Sequence, residues 1–406
     1  MEANSRETLQ ADFDAFNISE KLGFLLEEPL TDLPDYYREW LDLANNLSHL
    51  IESRKLRDLV HKMPVLGLHL LRDHRELRLA HLALGFISMG YVWQEGQHAP
   101  AQTLPKALAL PYWLVSNRLG LPPILTYADV ILANWKLKDH TRDMEIGNLD
   151  MIFSFPGGES CRGFCMVSLL VEMAASSGIT GALKVMHAIK ISDLIAIKKG
   201  LVQVTQSLKK MKDTFKLMHN HVDSTVFHGT LRLFFTGWRD NPMFPRGLLY
   251  EGVSNEPISL SGTSAAQSST FQCFDALLCI QHEDEAGAFL TRMKDHMLPA
   301  HRQQIETLSV SPSLRDFILS NTSPDLCQAY NSCVSALVDL RNYHFNIVAK
   351  YIIVPGNCAR GMGCPLSGVS TELNVRGTGG TSLMVFLKSV RNTTQKALIL
   401  EGPHAV

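Results

Sequence analysis

The feature that most constrains the fold is a long apolar stripe towards the C-terminus of the chain. Its members are spaced alternately four and three residues apart, which places them on one face of a single helix. They are Leu326, Tyr330, Cys333, Leu337, Leu340, His344, Ile347 and Tyr351. The stripe therefore predicts one long helix with a buried face.

Other stretches of the chain share this helical period. Alternating runs bounded by Asn-Gly or Asp-Gly turns are missing from the sequence, so a core built on a sheet is not supported. We therefore predict an all-α protein. The additional helical windows are residues 77–91, 164–177, 193–219, 224–237 and 383–399.

Small and helix-breaking residues divide the chain. Pro156, Gly157 and Gly158 interrupt the helical period, and we place a domain boundary there. We predict a small N-terminal helical domain, residues 1–155, packed on a larger C-terminal helical domain, residues 156–406. A second break at residues 255–269 is rich in small residues and suits a loop that lies close to a ligand.

A third break spans residues 354–381 and holds seven Gly and two Pro without any helical period. Loops longer than about 12–15 residues are usually functional lids or disordered segments. We predict a mobile lid over residues 353–382. Its Gly-rich run is weak support for phosphate binding, because such sites need a preceding strand and a specific spacing.

Charge and composition exclude several classes of protein. The net charge is −2 and 19% of the residues are charged, which argues against nucleic-acid and anionic-membrane partners, since both need a basic excess. The N-terminus is polar and acidic, and no run of about 18 uncharged apolar residues occurs, which argues against a leader and a membrane span. We expect a cytoplasmic protein.

One histidine is the strongest candidate for a metal ligand. The 8 cysteines form no CxxC pair, so we expect free thiols and no structural zinc site. His344 lies in the middle of the apolar stripe, although a lone core histidine is more often packed and hydrogen-bonded than metal-bound. Arg341, one turn earlier, needs an anion if it is buried, either a carboxylate or an acidic group of a cofactor.

Several blocks of the chain, taken in order, resemble the indoleamine 2,3-dioxygenase family. The segment Leu340-Arg341-Asn342-Tyr343-His344 is similar to the helix that carries the family's proximal histidine. The resemblance covers almost the whole chain and includes residues 121–125, 127–129, 132–135, 164–172, 232, 237–238, 264–275 and 376–381. Residues 155–160, 250–253 and 256–257 look closer to the second vertebrate paralogue than to the first.

The resemblance implies a haem enzyme with the cofactor between the two domains. The family binds haem b, with Fe²⁺ in the active form, through one proximal histidine, here His344, and leaves the distal position open. It cleaves the indole C2–C3 bond of L-tryptophan with O₂ to give N-formylkynurenine, the first step of the kynurenine pathway. A protein general base is not required. We also expect a cellular reductant, a monomer, and neither nucleic-acid nor membrane partners.

The resemblance also assigns residues to the substrate site. The indole slot is lined by Tyr127, Val130, Phe164, Ser168, Phe227 and Phe235. Arg232 is expected to hold the substrate carboxylate through two hydrogen bonds, and the Ser168 hydroxyl to orient groups on the distal side. Phe227 and Arg232 are five residues apart, so their faces differ on an α-helix.

Further residues are assigned to the cofactor and the lid. By resemblance, Ser264 and Ala265 line the haem edge and contribute to the substrate site. Asp275 and Arg341 are expected on the side of the haem propionates. Thr378 is expected to lie near the ammonium or carboxylate of the substrate.

Departures from the family pattern predict weak tryptophan affinity. His228 stands where the first paralogue has a second phenylalanine, Thr263 replaces a glycine, and Phe235 replaces a leucine. The last two could crowd the pocket.

Two other readings remain open from the sequence. One is a haem protein of the same fold that signals or binds O₂ with little catalysis, and the other is a helical scaffold without haem. Retention of Phe164, Phe227 and Arg232 favours the enzyme, because a carrier needs no carboxylate clamp.

Overall fold

Helices dominate the regular structure in the computed structural model, which describes residues 2–321, 323–356, 377 and 382–400, with the backbone only for residues 2–6. In the N-terminal part the helices are α1 (Glu2–Phe16), α2 (Arg38–Asn45), α3 (Leu47–Glu52), α4 (Leu56–Val60), α5 (His74–Trp93), α6 (Lys106–Leu119) and α7 (Tyr127–Val130). The all-α prediction is confirmed.

The C-terminal part continues the helical pattern. Its α-helices are α8 (Gly158–Ala174), α9 (Ser176–Lys190), α10 (Leu194–Phe215), α11 (Met218–His221), α12 (Ser224–Val226), α13 (Arg232–Phe234), α14 (Ser269–Leu277), α15 (Asp284–Lys294), α16 (Pro299–Val310), α17 (Leu314–Asn321), α18 (Pro324–Val348) and α19 (Leu383–Lys396). Five-residue π-helical turns follow α12, at Phe227–Leu231, and α18, at Ala349–Ile353. Short 3₁₀ turns lie at Asp35–Tyr37, Gly96–His98 and Ala265–Gln267.

Strands in the described residues are only two residues long. They are β1 (Thr103–Leu104), β2 (Lys136–Leu137), β3 (Leu149–Asp150) and β4 (Leu249–Tyr250). β1 pairs in parallel with β4, and β2 pairs antiparallel with β3. Pairs of this length fasten loops and do not form a core layer.

The N-terminal part is organised around α5. The helix begins where the Asp73 carboxylate accepts the Glu76 N–H at 2.9 Å, and every residue from Arg78 to Trp93 is buried. A helix that is buried all round must be surrounded by other elements. Helices α2, α3, α4, α6 and α7 provide that surrounding.

The C-terminal part is organised around α10, which packs against α8, α9 and α18. α18 begins at Pro324, where the Ser323 hydroxyl accepts the Leu326 N–H at 3.4 Å. It is the long helix that the apolar stripe predicts, and α19 packs along it. Close approach of α8 to α11 requires Gly163, because a Cβ there would lie 2.1 Å from the His221 carbonyl oxygen.

The predicted boundary coincides with the start of α8. Gly157, at φ +130°, and Gly158, at φ +52°, hold backbone conformations that favour glycine. One buried core nevertheless continues through both parts, and α1 packs on α9 and α16. The division into two domains stays a prediction.

One helical stretch, Gly158–Lys190, has the length and composition to cross a membrane. In its most apolar window, 78% is buried inside the protein. Core helices of soluble proteins pass the same test, so the stretch is weak support for a membrane span.

Candidate active site

An apolar cavity lies between α8, the loop at residues 263–266, and the C-terminal helices α18 and α19. It encloses about 1320 Å³ of space, part of which is open to solvent. Of the residues that the sequence assigns to the site, those lining it are Tyr127, Phe164, Ser168, Phe227, Arg232, Phe235, Ser264, Ala265 and His344. The structure therefore brings together residues that are far apart in the sequence.

His344 faces this cavity from α18. Its ring packs edge-on against Phe215, with the ring centroids 5.8 Å apart. No described residue forms a hydrogen bond or ion pair with it. Burial and the nearby Arg341 guanidinium lower the pKa of His344 to about 4, so the imidazole is neutral at pH 7. It differs from a hydrogen-bonded core histidine and has a lone pair available for a metal.

Aromatic side chains form one wall of the cavity. The Phe164 ring lies 4.8 Å from Phe227 and 5.5 Å from Phe235, measured between centroids. Phe227 also meets Tyr351 edge-on at 6.4 Å. Rings in tilted and edge-on contact form an apolar wall against which a further aromatic ring can pack.

Arg232 supplies a cation to the same cavity. Its side chain is buried, and burial lowers the pKa of the guanidinium to about 10. The group therefore remains charged at pH 7, in surroundings where an anion is held more strongly than in water.

Phe227 and Arg232 both line the cavity, but the segment between them is not the α-helix that was assumed from the sequence. The segment that joins them is π-helical, and the Arg232 N–H donates to the Phe227 carbonyl oxygen. A π-turn bonds residues five apart, whereas an α-helix bonds residues four apart. Such turns often occur at functional sites.

Tyr127 is hydrogen-bonded to a buried carboxylate, Glu172, which was not predicted from the sequence. Its hydroxyl donates to Glu172 at 2.9 Å, and the Ser268 and Thr270 hydroxyls donate to the same group at 2.6 and 2.5 Å. Burial raises the pKa of Glu172, while these hydrogen bonds oppose the rise. Glu172 breaks the apolar pattern of α8, which was the available sign that it has a special partner.

Some predicted residues lie close to the cavity without lining it. Val130 is fully buried, and its neighbour Ile131 lines the wall. The sequence of a helix as short as α7 does not show which of two apolar neighbours faces a ligand.

Ser168 does line the cavity. Its hydroxyl forms no hydrogen bond with a described residue, so it is not bonded to a carbonyl of the preceding helical turn.

Asp275 and Arg341 lie outside the cavity lining and bind each other. Arg341 Nη2 donates to Asp275 Oδ2 at 2.7 Å, and His282 Nε2 lies 3.0 Å from the same oxygen. Arg341 also donates to the Thr394 hydroxyl. The sequence left open whether Arg341 pairs with a carboxylate or with an acidic group of a cofactor, and its partner in the structure is the Asp275 carboxylate. The ion pair connects α18 to α14, and the bond to Thr394 connects α18 to α19.

The loop before α14 forms one edge of the cavity. Ser264, whose hydroxyl accepts the Ala266 N–H at 3.3 Å, starts a tight 3₁₀ turn. The Thr263 hydroxyl donates to the Leu125 carbonyl oxygen at 2.8 Å. Gly377 also lines the cavity. Thr378 and most of the predicted lid, residues 357–376 and 378–381, lie outside the described residues.

Several lining residues were not assigned to the site from the sequence. They are Ile131, Val171, Phe215, Met218, Val222, Ala266, Phe271, Phe289, Ile347, Val348, Tyr351, Ile352, Gly377, Leu383, Phe386 and Leu387. Most are apolar residues of helices, and periodicity alone cannot distinguish a cavity wall from solid core.

Comparison with known proteins decides the family. The profile of the indoleamine 2,3-dioxygenase family matches residues 12–397. The chain belongs to the indoleamine 2,3-dioxygenase family. This confirms the family predicted from several sequence blocks, and it makes the chain an oxidoreductase of the indoleamine 2,3-dioxygenase type.

Individual relatives cover nearly the full length of the chain. It is 47% identical to indoleamine 2,3-dioxygenase 2 from Homo sapiens over 98% of both chains. It is 47% identical to indoleamine 2,3-dioxygenase 1 from Rattus norvegicus over 95% of both. It is also 37% identical to a myoglobin from Haliotis diversicolor, over 94% of this chain and 97% of the relative.

Proposed function

We propose that this member of the family uses haem b, with Fe²⁺ in the active form, to cleave the indole C2–C3 bond of L-tryptophan with O₂. The product is N-formylkynurenine. The proposal rests on one arrangement: a neutral His344, which forms no hydrogen bond with any described residue, faces the cavity that also holds aromatic rings and Arg232.

The residues present fit a haem. In the described part of the chain, no three His, Cys, Asp or Glu side chains converge on a point. A metal at His344 therefore needs further ligands from a macrocycle, and haem supplies them. Ile347, Val348 and Phe215 give the apolar surroundings that a porphyrin requires. When bound, haem supplies the activation of O₂.

The chain's own residues bind and orient the substrate. Phe164, Phe227 and Phe235 hold the indole ring by stacking and edge contacts, each worth about 0.5–1.5 kcal/mol beyond the burial of surface. Arg232 holds the carboxylate, and its planar fork fixes the direction of the amino-acid end. The apolar walls exclude water, and the Ser168 hydroxyl, which lines the same cavity, would orient polar groups of the bound ligands.

We also propose that the protein binds tryptophan weakly. Thr263 and Phe235, which are larger than the family's glycine and leucine, both line the cavity. His228 is half-buried beside Phe227. Added bulk in a closed slot costs binding free energy, because neighbouring groups must shift. Titration with tryptophan, followed by haem absorbance, should saturate well above low micromolar concentration.

The proposal also covers the compartment, the oligomeric state and the electron source. We propose a cytoplasmic monomer of two helical domains that takes electrons from a cellular reductant. The net charge of −2 supports the proposal that no nucleic acid or anionic membrane is a partner.

A second candidate function has a specific observation behind it. A relative named myoglobin shares 37% identity over 94% of the chain, which supports an O₂-binding or signalling protein of the same fold. The buried cation Arg232 favours the enzyme, because O₂ storage has no use for a carboxylate clamp.

Product formation separates the two candidates. The haem-loaded protein is reduced without oxygen, mixed with tryptophan and then exposed to O₂, and N-formylkynurenine is followed by absorbance. We expect product from the native chain and none from His344→Ala. Stable O₂ binding with no product in the native chain would support the carrier instead.

A further inference from the structure

A second cavity lies where α1, the loop at residues 17–27, the start of α5 and the start of α16 meet. It encloses about 690 Å³, partly open to solvent, and the described residues that line it do not overlap with those of the central cavity. Its wall combines apolar and charged side chains. They include Phe13, Phe24, Leu26, Arg75, Arg78 and His301.

Arg78 is a buried cation in this wall, with only 1% of its surface exposed. Its Nη2 donates to the Ala128 carbonyl oxygen at 2.7 Å. Within the described chain its Nε has no hydrogen-bond partner, and no carboxylate lies within ion-pair distance. Asp129 acts on Arg78 only at longer range. A buried guanidinium in this state is stabilised by an anion that enters the cavity.

Two other groups of the wall have unused hydrogen-bonding capacity. Arg75 donates through Nη2 to the Glu28 carbonyl oxygen, and its Nη1 lies 3.9 Å from the Glu28 carboxylate, but its Nε has no partner among the described residues. His301 is 2% exposed, and its Nε2 lies 3.3 Å from the Asn17 carbonyl oxygen. Because a carbonyl can only accept, Nε2 carries the proton and Nδ1 is left as an acceptor. No described residue donates to that Nδ1, so it suits a ligand N–H.

The rim of the cavity carries the opposite charge. Asp14 and Glu27 are exposed and line it. Each accepts one neutral donor, Gln10 Nε2 for Asp14 and the Ser19 hydroxyl for Glu27. One buried cation, Arg78, and one half-buried cation, Arg75, with carboxylates at the rim match a zwitterion, whereas a dianion such as phosphate would be repelled on entry.

We propose that this cavity binds the zwitterion of an apolar α-amino acid. The carboxylate pairs with Arg78 and Arg75, and the ammonium faces His301 Nδ1 and the rim carboxylates. The apolar side chain packs against Phe13 and Phe24. The cavity adjoins α7 through the contact of Arg78 with Ala128, and α7 carries Tyr127 into the central cavity.

Calorimetric titration of the haem-loaded protein tests the proposal, with L-phenylalanine as the probe. 3-Phenylpropionate lacks the ammonium group, and phenethylamine lacks the carboxylate. We expect L-phenylalanine to bind, with at least tenfold weaker binding of either analogue. Arg78→Gln should weaken L-phenylalanine binding at least tenfold, and Leu26→Phe, which fills the cavity without removing a charge, should abolish it.

Control variants locate the binding event. Arg57→Gln removes another arginine that donates to backbone carbonyls, and it should leave binding unchanged. Arg232→Gln, in the central cavity, should also leave it unchanged. Binding lost in Arg232→Gln, binding retained in Leu26→Phe, equal binding of 3-phenylpropionate, or no binding to the native chain would each overturn the proposal. None of these readouts depends on tryptophan turnover.

Discussion

The buried ion pair between Asp275 and Arg341 gives a prediction about the stability of the helix that carries His344. Both side chains are 8% exposed, and they meet at 2.7 Å. Asp275→Ala would leave the Arg341 cation buried without its partner. Removing one member of a buried pair typically costs about 3–5 kcal/mol, against a total stability of about 5–15 kcal/mol for a typical protein.

Urea unfolding, followed by circular dichroism, measures this cost. A matched control is Asp213→Ala, which breaks the surface pair with Lys216, whose side chains are 65% and 56% exposed. That change should cost at most about 1 kcal/mol. Arg341→Met added to Asp275→Ala should recover stability, because the orphaned charge is removed. A cost below about 1 kcal/mol for Asp275→Ala, or no recovery in the double variant, would refute the reasoning.

The same pair predicts a pH dependence with a definite sign. Burial alone would raise the pKa of Asp275, but Arg341 and His282 outweigh it and hold this pKa below its ordinary value. A carboxyl whose pKa is lower in the folded state stabilises the fold above its unfolded pKa of about 3.9. That contribution is lost as pH falls through the folded pKa. The native chain and Asp275→Ala should therefore converge in stability below about pH 4.

Further predictions test the walls of the cavity. Glu172→Ala should lower the free energy of unfolding by about 1–3 kcal/mol more than Glu172→Gln, since buried hydroxyls such as that of Tyr127 lose their acceptor; equal thermal stability of the two variants would contradict this. Arg232→Gln should weaken tryptophan binding at least about tenfold but leave tryptamine, which lacks the carboxylate, unchanged in spectral titration; an equal loss for both ligands would argue against the clamp. Gly163→Ala should destabilise the protein by about 1–3 kcal/mol in urea, because its Cβ would collide with the His221 carbonyl; native stability would show that α8 and α11 can separate freely.

Sequence periodicity predicted the helical framework well. The stripe that contains His344 forms α18 and the π-helical turn after it, and the window at residues 77–91 lies within α5. α18 was predictable because burial of one face leaves a periodic stripe of apolar residues, and α5 because burial of all faces leaves a mostly apolar segment. The glycines at residues 157 and 158 likewise marked the start of α8, since a conformation with positive φ favours glycine.

What the sequence could not provide is the choice of partners across space. No local sequence pattern shows that Arg341 pairs with Asp275. Nor does one show that the Glu172 carboxylate accepts hydrogen bonds from the hydroxyls of Tyr127 and of another segment. The π-turn before Arg232 was also invisible, because its composition is compatible with an α-helix. Each of these features depends on contacts between distant segments, and helical periodicity carries no such information.

The central claim is that the His344 imidazole is the protein ligand of the haem iron. The most direct measurement is a haem titration of the native chain and of His344→Gly, followed by absorbance with and without added imidazole. We predict a histidine-type spectrum for the native chain, its loss in His344→Gly, and its return when imidazole fills the vacated space. An unchanged spectrum in His344→Gly without imidazole would contradict the account.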